Sequence, residues 1–201
     1  MRTAIGLKAH SGWAAMVGLA APGGGDLGVI DRRRLELVAK GEASWAKQPY
    51  HAAERRRGPD ARALVERGVE SARRLAREEL SAAVGRLRDG GHDVAACAVL
   101  AAEPMPEWTV EEILAVHFRM HKAEGVLFRD ALSRAARAIG VKLVEIPEKT
   151  LDAEAAKALA MPAGRARAAV AALGRSIGPP WSRDQKDAAL AAWVALAGEA
   201  R

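Results

Sequence analysis

Two aspartates three residues apart, Asp184 and Asp187, stand near the start of the last helical segment of this 201-residue chain. At that spacing they share one helix face. A purely structural account stands beside any chemical one. Ser182 and Gln185 have the spacing of a capping box, and an acid in a first helical turn is favoured by the helix dipole without a metal. Glu103 follows the apolar run 94–102, and strand ends in an α/β sheet line the usual ligand crevice. It also reads as a plain loop residue before Pro104. His117, His121 and Glu124 fall at i, i+4 and i+7, a spacing able to bind a transition metal, although a polar stripe along a long helix is the simpler reading. Two arginine triplets, Arg32, Arg33, Arg34 and Arg55, Arg56, Arg57, offer planar guanidinium forks that suit phosphate oxygens. Residues 1–60 hold ten basic and six acidic side chains, so four of the six surplus positive charges sit in that region. A solvated arginine-rich face accounts for the same residues without nucleic acid.

Several chemistries find no support. Cys97 is the only cysteine, which excludes an internal disulfide and a zinc site built from cysteine pairs. Its apolar neighbours mark it as an inert core thiol. The glycines of residues 22–25 lack the lysine and following helix of a phosphate-binding P-loop. No Ser-His-Asp order suggests a hydrolase. The longest apolar stretch, 13–22, is far short of the roughly 20 residues of a spanning helix, and no signal peptide is visible, so a soluble, cytoplasmic protein without membrane contact is expected.

The elements that must position these residues follow from periodicity. Residues 3–8 and 13–19 read as one long strand bent around residues 10–12. A turn at 22–25 joins it to a strand over 27–38, making a β-hairpin. A weak third strand is expected over 44–52. Residues 61–87 carry an apolar stripe through Leu64, Val69, Ala72, Leu75, Leu80 and Leu87, the mark of an amphipathic helix. The strand 94–102 is apolar on both faces, as in the centre of a covered sheet. Thr109 and Glu112 cap one continuous helix reaching about residue 139. A short strand over 141–146 and helices over 151–160, 163–173 and 182–196 complete the chain. Early antiparallel strands followed by βαβ units predict a mixed β-sheet with helices on both faces, as a single α/β domain over 1–201.

This order resembles the ribonuclease H-like fold, and local motifs resemble RuvC-type junction resolvases over nearly the whole chain. The first strand of that family reads apolar-apolar-Gly-apolar-Asp, and here it is Ala4-Ile5-Gly6-Leu7-Lys8. An acid closes the fourth strand, as Glu103 does. Gly125-Val126 resembles a pair in the middle of the next helix. The last helix opens on two aspartates followed by an alanine and an apolar run, like Asp184, Asp187, Ala188 and Leu190. The resemblance implies a catalytic set of Glu103, Asp184 and Asp187 around two Mg²⁺ or Mn²⁺ ions about 4 Å apart, which activate water and neutralise the leaving oxygen.

Lys8 departs from that pattern, standing where the family has the aspartate that bridges both ions. An ammonium cannot ligate Mg²⁺ and repels it. Lys8 is therefore expected to replace the metal and to neutralise Glu103, Asp184 and Asp187 in a salt-bridge cluster, with no cofactor. The other placement has Lys8 pointing elsewhere, with the register shifted by one or two residues. His10, two residues on, is a further candidate ligand or base. Three readings follow. The first is a RuvC-like domain with impaired or lost nuclease activity that binds DNA or structured nucleic acid. The second is a non-catalytic interaction subunit with a protein partner or a second copy. The third is a metal-dependent nuclease with relocated ligands.

Overall fold

Strand β1 (Arg2–His10) is the element around which the rest is arranged. Its period of two sends Ile5, Leu7 and Ala9 to one face of the sheet and Ala4 to the other, on the side shared by Gly6 and Lys8. The computed structural model describes residues 1–21 and 27–199. The expected turn over 22–25 lies outside the described residues.

β1 folds back into β2 (Trp13–Ala20), which pairs in turn with β3 (Gly28–Glu36). The single bent strand expected over 3–19 is therefore two antiparallel strands. Gly12, at φ +87°, supplies the left-handed residue that lets the chain reverse, and His10 lies opposite Trp13. After two short helices, α1 (Ala43–Ala46) and α2 (Pro49–Ala53), comes the long α3 (Gly58–Asp89). The strand expected over 44–52 does not form. Pro49 cannot donate to a ladder, starts α2 instead, and seats that helix against α3 at Gly68.

β4 (Asp93–Ala101) lies parallel to β1, and β5 (Lys142–Pro147) lies parallel to β4, giving the order β3-β2-β1-β4-β5. Between them, the helix expected over 109–139 is broken into α4 (Val110–Leu114) and α5 (His117–Ala138). The Thr109–Glu112 capping box forms as its residues predict. The break is at Val116, whose extended backbone (φ −137°, ψ 114°) redirects the chain. That bend brings Ile113 of α4 and Met120 of α5 into one small core with Tyr50, Leu64 and Val65.

The chain ends in α6 (Leu151–Leu159), α7 (Ala163–Ile177) and α8 (Arg183–Gly198). α3 and α5 cover one face of the sheet, and α6, α7 and α8 cover the other. The protein is thus α/β, a mixed five-stranded sheet with helices on both faces. Residues 187–192 of α8 are all buried, so this helix is interior rather than amphipathic. It lies directly on β1. A Cβ built at Gly6 would sit 1.8 Å from the Ala188 carbonyl oxygen and 2.8 Å from the Ala192 nitrogen. Among the described residues no helix is long and apolar enough to cross a membrane.

This contact sets a stability test. Gly6→Ala forces backbone against backbone and should destabilise by about 3 kcal/mol or more. Gly125→Ala, on an exposed helical turn with nothing within 4 Å of the added carbon, should stabilise by roughly 0.5–1 kcal/mol. Denaturant unfolding of both variants measures the contrast. A neutral Gly6→Ala would show that α8 does not approach β1 this closely.

Candidate functional site

The C-terminal ends of β1 and β5 and the first turn of α8 meet at one cluster with Lys8 and Asp187 buried at its centre. Lys8, only 6% exposed, lies on the α8 side of β1 two residues beyond Gly6. Because glycine lets α8 settle onto the strand, the first turn of that helix overhangs the lysine. Lys8 Nζ donates to Asp187 Oδ2 at 2.7 Å and stands 3.4 Å from Asp184 Oδ1. A third carboxylate, Glu148 Oε1, lies 3.2 Å away, contributed by the residue after β5. The Ser182–Gln185 capping box fixes the start of α8 and hence the direction of both aspartates.

Further cations close the cluster. Arg167 of α7 bridges Asp187 and Asp152, the latter at 2.7 Å. Arg129 of α5 pairs with Glu148 at 2.8 Å, and Arg183 reaches to 3.8 Å from Asp187. Four carboxylates (Glu148, Asp152, Asp184, Asp187) thus meet four cations (Lys8, Arg129, Arg167, Arg183), and the net charge is zero.

The titration behaviour follows from this pairing. Burial alone disfavours the Lys8 ammonium, but hydrogen bonds to Asp187 and Glu148 outweigh it and hold its pKa above the ordinary lysine value. Burial likewise works against the charged form of Asp187, and Lys8 and Arg167 reverse that, leaving the carboxyl below its usual range. Glu148 is lowered in the same way, against burial, by Arg129 and Lys8. All three groups are ionised together near neutral pH.

Some expected participants lie elsewhere. Glu103 does not join Lys8. It is 65% exposed in its side chain and pairs with Lys149 at 2.6 Å. β4 ends at Ala101, and the irregular segment that follows, with Pro104 and Pro106, carries Glu103 past the strand end and out to solvent. Glu148 occupies the role assigned to Glu103. Its signal in the sequence was its place directly after β5, whose parallel pairing to β4 brings both strand ends to one edge. His10 does border the cluster, with Nε2 at 3.2 Å from Asp184 Oδ1, but the approach is not aligned for a hydrogen bond. Its ring stacks on Trp13 at 4.4 Å.

The first arginine triplet is engaged internally. Arg32 donates to the backbone carbonyls of Gly178 and Pro180, Arg33 pairs with Asp31, and Arg34 pairs with Glu36 while lying over Trp13. On β3, residues two apart share a face, so Asp31 neutralises Arg33 and Glu36 neutralises Arg34. Arg55, Arg56 and Arg57 are exposed, and among the described residues their side chains make no ion pair or hydrogen bond. His117, His121 and Glu124 do share a face of α5, where His51 of α2 joins them.

Against solved structures, the chain aligns with the Thermus thermophilus RuvC structure at a TM-score of 0.51 and 16% identity, covering 98% of this chain and 96% of that one. It aligns with T. thermophilus RuvC in complex with Holliday junction substrate at a TM-score of 0.50 and 12% identity, covering 100% and 96%. The fold is RuvC-like. At these identities the likeness extends to the backbone and not to the side chains. The sequence matches no family model and no curated protein.

The RuvC-like fold raises the question of a divalent-metal centre, and the residues do not fit one. Lys8 Nζ already lies within 2.7–3.4 Å of three carboxylates. A divalent ion about 4 Å from that ammonium would meet a repulsion of about 8 kcal/mol at an effective dielectric near 20. The arginines leave no surplus negative charge to offset it.

Lys8→Met tests the cluster. Removing one partner of a buried ion pair should cost about 3–5 kcal/mol near neutral pH. Asp187 and Glu148, depressed in the folded protein, stabilise it above their unfolded pKa values, and this is lost as pH falls through the folded ones. Lys8, raised, stabilises below its unfolded value, and this is lost as pH rises through the folded one. The contribution is therefore complete between about pH 5 and pH 10. The deficit of Lys8→Met, read from denaturant unfolding, should be largest in that window and shrink below about pH 4 as the carboxylates protonate. Equal stability of the two proteins near neutral pH would place Lys8 outside the cluster.

Proposed function

We propose that this chain is a nucleic-acid-binding RuvC-like protein in which a buried lysine has replaced the two-metal cleavage centre. The observation that carries this reading is the position of Lys8 Nζ among Asp184, Asp187 and Glu148. A site neutralised by its own side chains has no means of activating water through a divalent ion. Binding is supported by the RuvC-like fold, by the net charge of +6, and by the exposed guanidiniums of Arg55, Arg56 and Arg57, which have no partner among the described residues. Structured or branched DNA is the expected ligand, held by phosphate contacts rather than by base readout. Arg32, Arg33 and Arg34 contribute to the fold in this account, because their partners are already supplied within the chain.

A second reading, an interaction subunit with a protein partner or a second copy, draws on one feature. Phe118 is 69% and Val116 41% exposed, two residues apart at the start of α5. Apolar groups of that size at the surface suit a protein contact.

Fluorescence anisotropy with a four-way DNA junction and a matched duplex, over a salt series, separates the two. Binding should weaken steeply with salt. Replacing Arg55, Arg56 and Arg57 with alanine should reduce the log–log slope by roughly two to three, because each lost phosphate contact removes about 0.9. The same replacement of Arg32, Arg33 and Arg34 should lower stability and leave the slope nearly unchanged. In millimolar Mg²⁺ or Mn²⁺ the junction should stay intact. Absent or salt-insensitive binding would favour the interaction subunit, and metal-dependent nicking that disappears in Asp187→Asn would establish a working nuclease.

A further inference from the structure

We infer that His51, His117 and His121 form a binding site for a transition-metal ion of the zinc class, separate from the Lys8 cluster. One nitrogen of each imidazole lies within 4.8 Å of the other two, joining the C-terminal part of α2 to the first turn of α5. His117 and His121 sit one helical turn apart, with their Nε2 atoms separated by 3.1 Å. Two imidazoles bound tetrahedrally at about 2.0–2.1 Å from a zinc ion have nitrogens about 3.3 Å apart. The pair is therefore spaced for a shared ion with little adjustment.

The outer partners match the same chemistry. His51 Nδ1 lies 2.6 Å from Glu124 Oε2, and His117 Nδ1 lies 3.4 Å from Glu54 Oε1. At His51 the Glu124 carboxylate is within hydrogen-bonding distance of Nδ1, which holds the proton there and leaves that ring's Nε2 lone pair free. This is how metal-bound histidines are oriented and made more basic. Glu124 accepts from the backbone N–H and the ring of His51 and from Gln48 Nε2, and it is buried. Among the described residues no lysine or arginine forms an ion pair with it.

Three protein ligands leave a fourth position for water or another small ligand. His117 and His121 are exposed, so an ion can enter from solvent. His121 and Glu124 also line a cleft of ≈ 300 Å³ that contains His10 and Ser11 at the end of β1. The inferred site therefore lies along the same cleft as the edge of the Lys8 cluster, and its imidazole ligands select a different class of ion from the carboxylates there.

Cobalt and zinc binding to the untagged, full-length protein tests this. One Co²⁺ per chain should bind, with the strong visible absorption of a four-coordinate ion, and Zn²⁺ should displace it. Zn²⁺ at about a hundredfold excess over its Kd should raise Tm by about 5–10 °C. His117→Ala and His121→Ala alter exposed side chains, so each should melt like the wild type in chelator yet lose the absorption and the rise in Tm. Lys8→Met and Asp184→Asn should bind cobalt as the wild type does. The inference is overturned if the wild type binds no stoichiometric metal, if binding survives both histidine substitutions, or if Asp184→Asn rather than His121→Ala abolishes it.

Discussion

The close approach of α8 to β1 at Gly6 is the constraint on which the rest depends. No other residue type leaves room for the Ala188 carbonyl 1.8 Å from where a Cβ would stand. With the backbones in contact, the small side chains of Ala188, Ala189, Ala191 and Ala192 bury completely. The first turn of the helix then lies above the next inward-facing residue of the strand. That residue is Lys8, so the packing of one glycine determines which charges meet.

Once they meet, electrostatics decides what the site can do. Removing ions from water is costly, and a buried pair is retained only where its remaining hydrogen-bonding capacity is met. Here Lys8, Arg129, Arg167 and Arg183 distribute that compensation over Glu148, Asp152, Asp184 and Asp187. Asp187 and Glu148 are held in their charged forms, against burial, by these internal cations. These ion pairs hold the sheet ends and four helices together, and they engage the same carboxylates that a divalent ion would need. In the proposed reading, metal binding and structural salt bridging compete for one set of oxygens, and Lys8 tips that competition towards structure.

The parts of this arrangement legible in the sequence are the local ones. The i, i+3 aspartates and both capping boxes follow from rules of short range, and each is found as expected. The misplaced features depend on contacts distant in sequence. Glu103 and Glu148 both follow strands, and only the irregular, proline-containing segment after β4 separates their fates. The strand expected over 44–52 gave way to helices because Trp45 and Tyr50 pack against α3 and its neighbours. Asp31 and Glu36 sit close enough in sequence to Arg33 and Arg34 to have signalled their pairing, but the carbonyls that engage Arg32 come from residues near 180. His117 and His121 were visible as a pair. Their third member, His51, lies on a short helix that periodicity did not reveal, and Glu124 stands behind it rather than beside them.

The central claim is that an ammonium occupies the place of a divalent ion. Anomalous diffraction from crystals soaked in millimolar Mn²⁺ tests it most directly. The account predicts Lys8 Nζ in density between Asp184, Asp187 and Glu148, with no anomalous peak inside that cluster. A manganese peak bridging Asp184 and Asp187, with the Lys8 side chain turned away, would contradict it.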